Sequence, residues 1–246
     1  MELIAEVVAW FTDPASWTGR NGIPIRLWEH VSLSAASLAV AVGLGLPLGL
    51  FIGHTNRGSA LAIGLSNVGR AVPSLGWIGI VLPFSLALGL GLGFWPSLIA
   101  LVLLAIPPIV TNAYAGLREV DRDTIEAGRG MGMREFEVLA RVEIPLALPV
   151  ILAGVRTSAV QVVATATLAA VISGGTLGHL ILQGFLVQDD GRLVGAAILT
   201  ALLAILTELG FAALQRSAVS PGLGVRTTWN PTQPAQVGRG GGDVAF

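Results

Sequence analysis

Residues Glu119 to Pro149 read EVDRDTIEAGRGMGMREFEVLARVEIPLALP, the charged interlude of an otherwise oily chain. Uncharged stretches long enough to cross a bilayer flank it on both sides. Thr124 or Asp123 is placed to cap a helix whose first turn holds Glu126, where the helix dipole favours an acid. Glycines at 128, 130 and 132 each weaken that helix by about 1 kcal/mol relative to alanine. In exchange they leave a thin surface against which another backbone can pack. Gly132 lets the chain turn before a second helix, Met133 to Arg141, and Pro145 is tolerated because a new helix starts there. A short hydrophilic helix-turn-helix held between spans suits gripping a soluble partner. The alternative is an ordinary solvated loop, which is what most charge runs are.

Composition supports the membrane setting. Of 246 residues, 53% are hydrophobic and 12% charged, against about 25% charged in a typical soluble domain. The mean hydropathy is +0.77. A net charge of -1 and the lack of a basic stripe give no sign of a nucleic-acid partner. With no cysteine, disulfides, zinc-thiolate sites and cysteine nucleophiles are excluded. His30, His54 and His179 are far apart in sequence, so interfacial or loop positions are expected for them and no metal site or cofactor is. The first residues are acidic and lack a basic n-region, so no cleaved signal peptide is expected.

Working outward from the loop, five spans are expected. Val31 to Gly53 is uncharged for 23 residues, roughly 34 Å of helix and enough to cross a bilayer. The 47 uncharged residues from Ala71 to Leu117 are too many for one span. Gly89, Gly91 and Gly93 with Trp95 and Pro96 divide them. The spans are therefore 31–53, 61–88, 97–116, 147–172 and 193–214, with Ser173-Gly-Gly-Thr176 ending the fourth and the loop occupying 118–145. Residues 1–26, with Trp10, Phe11 and Trp17 around Asp13-Pro14, read as an interfacial segment, and 217–246 as a disordered tail. The transmembrane body is thus 27–216.

Arginine sets the orientation, because lysine is absent. With the N-terminus outside, ten arginines fall in inner segments, five of them in the loop, and three (Arg20, Arg26, Arg192) outside. The positive-inside rule then puts the loop and the C-terminus in the cytoplasm.

Polar residues inside the spans are candidates for a translocation path, since irregular backbone and polar groups are tolerated at membrane depth where they line a cavity. Pro73-Ser74 interrupts the second span. Pro107-Pro108 is expected to kink the third, one turn before Asn112. Ser158, Gln161 and Thr165 share one face of the fourth. The alternative is hydrogen bonding between helices, a common use of Ser and Thr. Gly45, Gly49 and Gly53 form a ridge of small residues suited to helix packing. Arg156 and Glu208 lie within spans 4 and 5 toward their cytoplasmic ends, where they either meet or reach separately for the interface.

The core Glu126-Ala127-Gly128, then Gly132, then Val142-Glu143-Ile144-Pro145 resembles the "EAA…G…I-x-L-P" loop of binding-protein-dependent ABC transporter permeases. Gly128 replaces the usual second alanine, Val142 an isoleucine and Ile144 a leucine. Ala71-Val-Pro-Ser-Leu75, the run Ile106 to Leu117, and Ala164 to Ala170 followed by Gly174 to Gly178 look like permeases for glycine betaine, carnitine and choline. The likeness covers residues 30–214. It implies an all-α, five-span type I importer fold in a bacterial inner membrane. It also implies that Glu126, Ala127, Gly128, Gly132, Val142, Ile144 and Pro145 dock onto a cytoplasmic ATPase, and that an extracytoplasmic substrate-binding protein delivers the solute. The chain has no Gly-x-x-x-x-Gly-Lys-[Ser/Thr] phosphate loop, so ATP hydrolysis is expected of a separate subunit and the chain is not itself an enzyme. One five-span bundle is too small to enclose a path, so a second permease subunit is expected, identical or not. An importer of methionine or another small solute, and a standalone channel, are the remaining alternatives. No hydrolase or metalloprotease motif supports an intramembrane enzyme.

Overall fold

Gly45, Gly49 and Gly53 recur every fourth residue, so a helix through them carries a groove free of side chains along one face. The computed structural model describes residues 1–218 (side chains at 61 and 62 excepted), and in it that helix is α2, Ile23–Thr55. Helix α5, Phe94–Arg118, lies in the groove. A Cβ on Gly49 would stand 2.7 Å from the Ala113 Cβ, and one on Gly53 would stand 2.9 Å from the Leu117 Cβ. Gly45 meets Ile109 in the same register. The pairs advance together along both helices, so α2 and α5 run parallel.

Two parallel helices need one more crossing between them. It is made by α3, Ser59–Ala71, and α4, Ser74–Ala87, which are bent by 99° where they meet. Val72 is extended (φ -70°, ψ 123°), because proline disfavours helix in the residue before it and has no N–H to continue the ladder. The second span, expected over 61–88, is thus broken at Pro73-Ser74, where an interruption was expected. Across the bend the Trp77 indole donates to the Gly69 carbonyl at 3.3 Å. Helix α5, by contrast, continues through Pro107 and Pro108 without a break.

Beyond the charged loop, α8 (Ile144–Thr165) returns antiparallel to α5. Gly116 packs on Ala147 and Val150, and a Cβ on Gly154 would come within 2.5 Å of the Asn112 Cβ. A 3-10 turn, Ala166–Ile172, carries the chain on to Ser173, which ends it in the left-handed region. Helix α10, Asp190–Ala218, runs antiparallel to α8, tied by the Gln215 amide donating to the Pro149 carbonyl at 3.0 Å. The ends of α2, α5 and α10 therefore lie on one side with the start of α8. Counting the broken pair once, the described residues hold five segments long and apolar enough to cross a membrane.

Two further helices sit at the opposite side. Helix α1, Glu2–Thr12, stacks Trp10 on Gly195 at the start of α10. It stops where the Asp13 carboxylate accepts the Ala15 N–H at 2.9 Å. Helix α9, Thr176–Val187, lies in a stretch that hydropathy leaves as an outer connection; it buries Leu177, Leu180 and Gly184 on one face. The tail expected to be disordered, apart from its first two residues, falls outside the described residues. In the centre Leu33, Ala41, Leu101, Ala105, Ile109, Val162 and Ala166 form one buried cluster. In a bilayer such a cluster is held by close packing more than by exclusion of water, which is why the glycine contacts matter.

Candidate functional site

The loop folds as two short helices. Asp121 caps the first, accepting the Asp123 N–H at 3.2 Å, so the cap is Asp121 and not the expected Thr124 or Asp123. The reason is local: Val120, buried at the foot of α5, fixes where the chain turns, and Asp121 is the next residue. The helix is α6, Arg122–Gly130. Gly132 turns the chain at φ +86°, a conformation that costs glycine little and other residues more. Then comes α7, Glu135–Val138, followed by a π turn over Leu139–Glu143 that leads into α8. The second helix is thus not the regular Met133–Arg141 expected. Pro145 has no N–H to bond the carbonyl four residues back and its ring would strike it, and a widened turn just before the proline relieves both.

The seven residues of the motif divide by exposure. Glu126, Ala127, Gly132 and Pro145 are exposed, Val142 and Ile144 half-buried, and Gly128 is buried. A Cβ on Gly128 would touch Met133, Val138 and Val142 at 3.6–3.9 Å, so this glycine seats α6 on the second helix. Gly130 and Gly132 face open space. Beside them Met131 and Phe136 are 72% and 77% exposed. Two large apolar side chains standing free on a hydrophilic loop are what a partner would cover. Sequence reasoning passed over both, although apolar residues in a charged loop were the available signal.

Ionic contacts tie this surface to the bundle. Arg129 on α6 grips the Glu135 carboxylate with two hydrogen bonds, at 3.0 and 2.9 Å. The hydrogen bond from Arg129 is the main cause holding the Glu135 carboxyl below the usual carboxylate range, and the same bond raises Arg129. His54, in the last turn of α2, lies between two acids: Nδ1 is 2.6 Å from Glu143 and Nε2 is 3.4 Å from Glu135. Glu143 is only 4% exposed. The sequence offered His54 as an isolated interfacial histidine; the fold brings it to two carboxylates distant in the chain. A cavity of about 320 Å³ adjoins them, lined by His54, Arg118, Glu126, Arg129 and Glu143 among others.

The path candidates are scattered more widely. Pro107 lies against Gly69 at the bend between α3 and α4, beside a cavity of about 520 Å³ that Trp77 also lines. Pro73 and Ser74 form the bend itself. Asn112 donates to the Pro108 carbonyl of its own helix at 2.8 Å. The buried Ser158 hydroxyl donates across to the Ala105 carbonyl of α5 at 2.8 Å. Thr165 bonds the Gln161 carbonyl one turn back at 2.7 Å. The hydroxyls thus have backbone partners within this chain, and Asn112, Ser158, Gln161 and Thr165 do not line the cavity at the bend. Arg156 and Glu208 do meet, through a hydrogen bond between α8 and α10.

Five apolar crossings, a broken second span and a charged two-helix loop keyed to the bundle define a membrane transport subunit that works with a soluble partner. Residues 45–219 match the binding-protein-dependent transport system inner membrane component family, and the chain belongs to it. It is the permease subunit of an ABC importer, in which a separate subunit hydrolyses ATP. The carnitine transport permease protein OpuCB of Listeria monocytogenes is 36% identical over 79% of this chain and 87% of its own length. The choline transport system permease protein OpuBB of Bacillus subtilis is 33% identical over 80% and 89%. The osmoprotectant import permease protein OsmW of Salmonella typhimurium is 35% identical over 74% and 84%. Among solved structures, an inward-facing form of the MetNI methionine ABC transporter superimposes with a TM-score of 0.76 at 20% identity, covering 85% of this chain and 100% of that one. At that identity the likeness concerns the fold alone.

Proposed function

We propose that this permease imports a quaternary-ammonium or related osmoprotectant of the glycine betaine, carnitine and choline class. The observation that carries the reading is the 33–36% identity, over about three quarters of the chain or more, to permeases named for such solutes. The loop 118–145 docks the ATPase through Glu126, Ala127, Gly128, Gly132, Val142, Ile144 and Pro145, with Met131 and Phe136 as apolar anchors. The N-terminus lies outside and the loop and C-terminus in the cytoplasm, as the arginine distribution favours. A second permease subunit completes the path. ATPase closure moves the loops, and the bend at Pro73 with Pro107 against it gives the second span a hinge for alternating access. The aromatic surface that recognises a quaternary ammonium belongs to the binding protein, which selects the solute before it reaches the membrane.

Reconstitution with the cognate ATPase and binding protein tests the substrate class. ATP-driven uptake of radiolabelled betaine, carnitine or choline is expected, with methionine not taken up; methionine uptake alone would overturn the reading. A cysteine at Arg129 should react with impermeant thiol reagents only from the cytoplasmic side, and one at Asp189 only from outside. Reversed labelling would reverse the orientation.

A further inference from the structure

The geometry points to a positioning role for His54: we propose that it links the end of α2 to the loop, so that motion of α6 reaches the first span. This rests on the reading of 118–145 as the ATPase-docking loop and adds the residue that carries its motion inward. An imidazole presents nitrogens on two edges, and the His54 ring sits between two acids, with Nδ1 toward Glu143 and Nε2 toward Glu135. Glu143 is nearly inaccessible, and a buried carboxylate is stable only when partnered. His54 Nδ1 at 2.6 Å is its side-chain hydrogen-bond partner among the described residues.

The π turn aims Glu143. Its extra residue turns the chain that follows by about 100° relative to a regular helix, and Glu143 is the last residue of that turn. Arg129 on α6, Glu135 on α7, His54 on α2 and Glu143 at the head of α8 then form one unbroken chain of contacts. Beyond His54, α2 is keyed to α5 by the near-contact of Gly49 and Gly53 with Ala113 and Leu117. A displacement of α6 is therefore passed to packed helices and not absorbed by a slack loop. The adjoining cavity of about 320 Å³ leaves these side chains room for a second arrangement.

The test uses the assembled transporter in proteoliposomes, measuring ATPase co-purification, ATP hydrolysis and solute uptake. His54→Phe and Glu143→Ala should keep the ATPase bound and hydrolysis within about twofold, while uptake per ATP falls at least about fivefold. Glu143→Gln should retain coupling, because its amide oxygen still accepts the Nδ1 proton. The exchange His54→Glu with Glu143→His should recover coupling lost in the single variants. Unchanged uptake per ATP in His54→Phe and Glu143→Ala would overturn the proposal, as would Glu143→Gln behaving like Glu143→Ala. If His54→Phe is not recovered from membranes, the Glu143→Ala and Glu143→Gln pair decides by the same comparison. Failure of the unaltered chain to retain its ATPase would instead strike the docking reading, and the link with it.

Discussion

The guanidinium of Arg156 on α8 donates to the carboxylate of Glu208 on α10, closing a contact between residues 52 positions apart. Each side chain is about a third exposed in the isolated chain. Neither is sealed in the protein, yet both lie on spans, where an unpaired charge is costly. The Gln215 amide oxygen faces the same guanidinium, and its nitrogen donates to the Pro149 carbonyl. Arg156→Met, Glu208→Gln and the double variant should therefore be non-additive in thermal stability after membrane extraction. A coupling of about 1–3 kcal/mol is expected. Additive losses would mean that the two groups reach the interface separately.

The α2–α5 contact makes a sharper stability prediction. On Gly49 a Cβ would meet the Ala113 Cβ at 2.7 Å and the Val110 carbonyl at 2.9 Å, and backbone cannot yield as a flexible side chain can. Gly49→Ala should cost about 1–3 kcal/mol by forcing the helices apart. Gly43, on the same helix, has nothing within 4 Å of a built Cβ. Gly43→Ala should be neutral or stabilising by up to about 1 kcal/mol, as alanine prefers helix. Thermal denaturation of the two variants side by side checks this, and equal effects would mean that the close approach carries no weight.

What could be read in advance depended on whether the cause was local. The glycine spacing at 45, 49 and 53, the break at Pro73 and the turn at Gly132 each follow from backbone chemistry at the residue itself, and were legible. Helix α9 was not, because its Leu177-Leu180-Gly184 face is short and its hydropathy alone does not separate it from a connecting loop. His54 was missed for a different reason. Its partners lie 81 and 89 residues away, and no periodicity within one helix can announce a contact set by packing two helices and a π turn together. The same holds for Ser158, whose hydroxyl finds the Ala105 carbonyl only because α8 and α5 pack closely.

On the proposed docking face, Phe136 and Gly132 should matter for different reasons. Phe136→Ala removes an exposed ring that makes no core contact, so insertion and thermal stability should hold while ATPase co-purification falls about tenfold or more. At φ +86° Gly132 tolerates no side chain without strain, so Gly132→Trp should distort the turn and abolish uptake, with Glu126→Lys weakening docking by reversing charge. Pull-down of the ATPase with each detergent-solubilised variant reads these effects. Undiminished capture by Phe136→Ala would show that the partner does not cover that ring.

The pairing of α6 with α7 should depend on pH in a direction that the Arg129–Glu135 contact sets. Arg129 lowers the Glu135 carboxyl below its ordinary range, chiefly by its hydrogen bond; burial opposes this, and the charges of Arg129 and then His54 add to the lowering. An acid lowered in the folded state contributes stability that is fully present above its unfolded pKa, near about 4.3. That contribution is lost as pH falls through the lowered value. Amide protection in the loop, corrected for intrinsic exchange, should thus hold from about pH 7 to about pH 5 and disappear only in stronger acid. Both groups are exposed, so high salt should weaken the effect by screening. Arg129→Gln should lower the protection at about pH 7 and remove most of its loss in acid, because the Glu135 carboxyl then titrates alike in the folded and unfolded loop. An acid loss of the same size in Arg129→Gln would mean that this ion pair does not hold the two helices together.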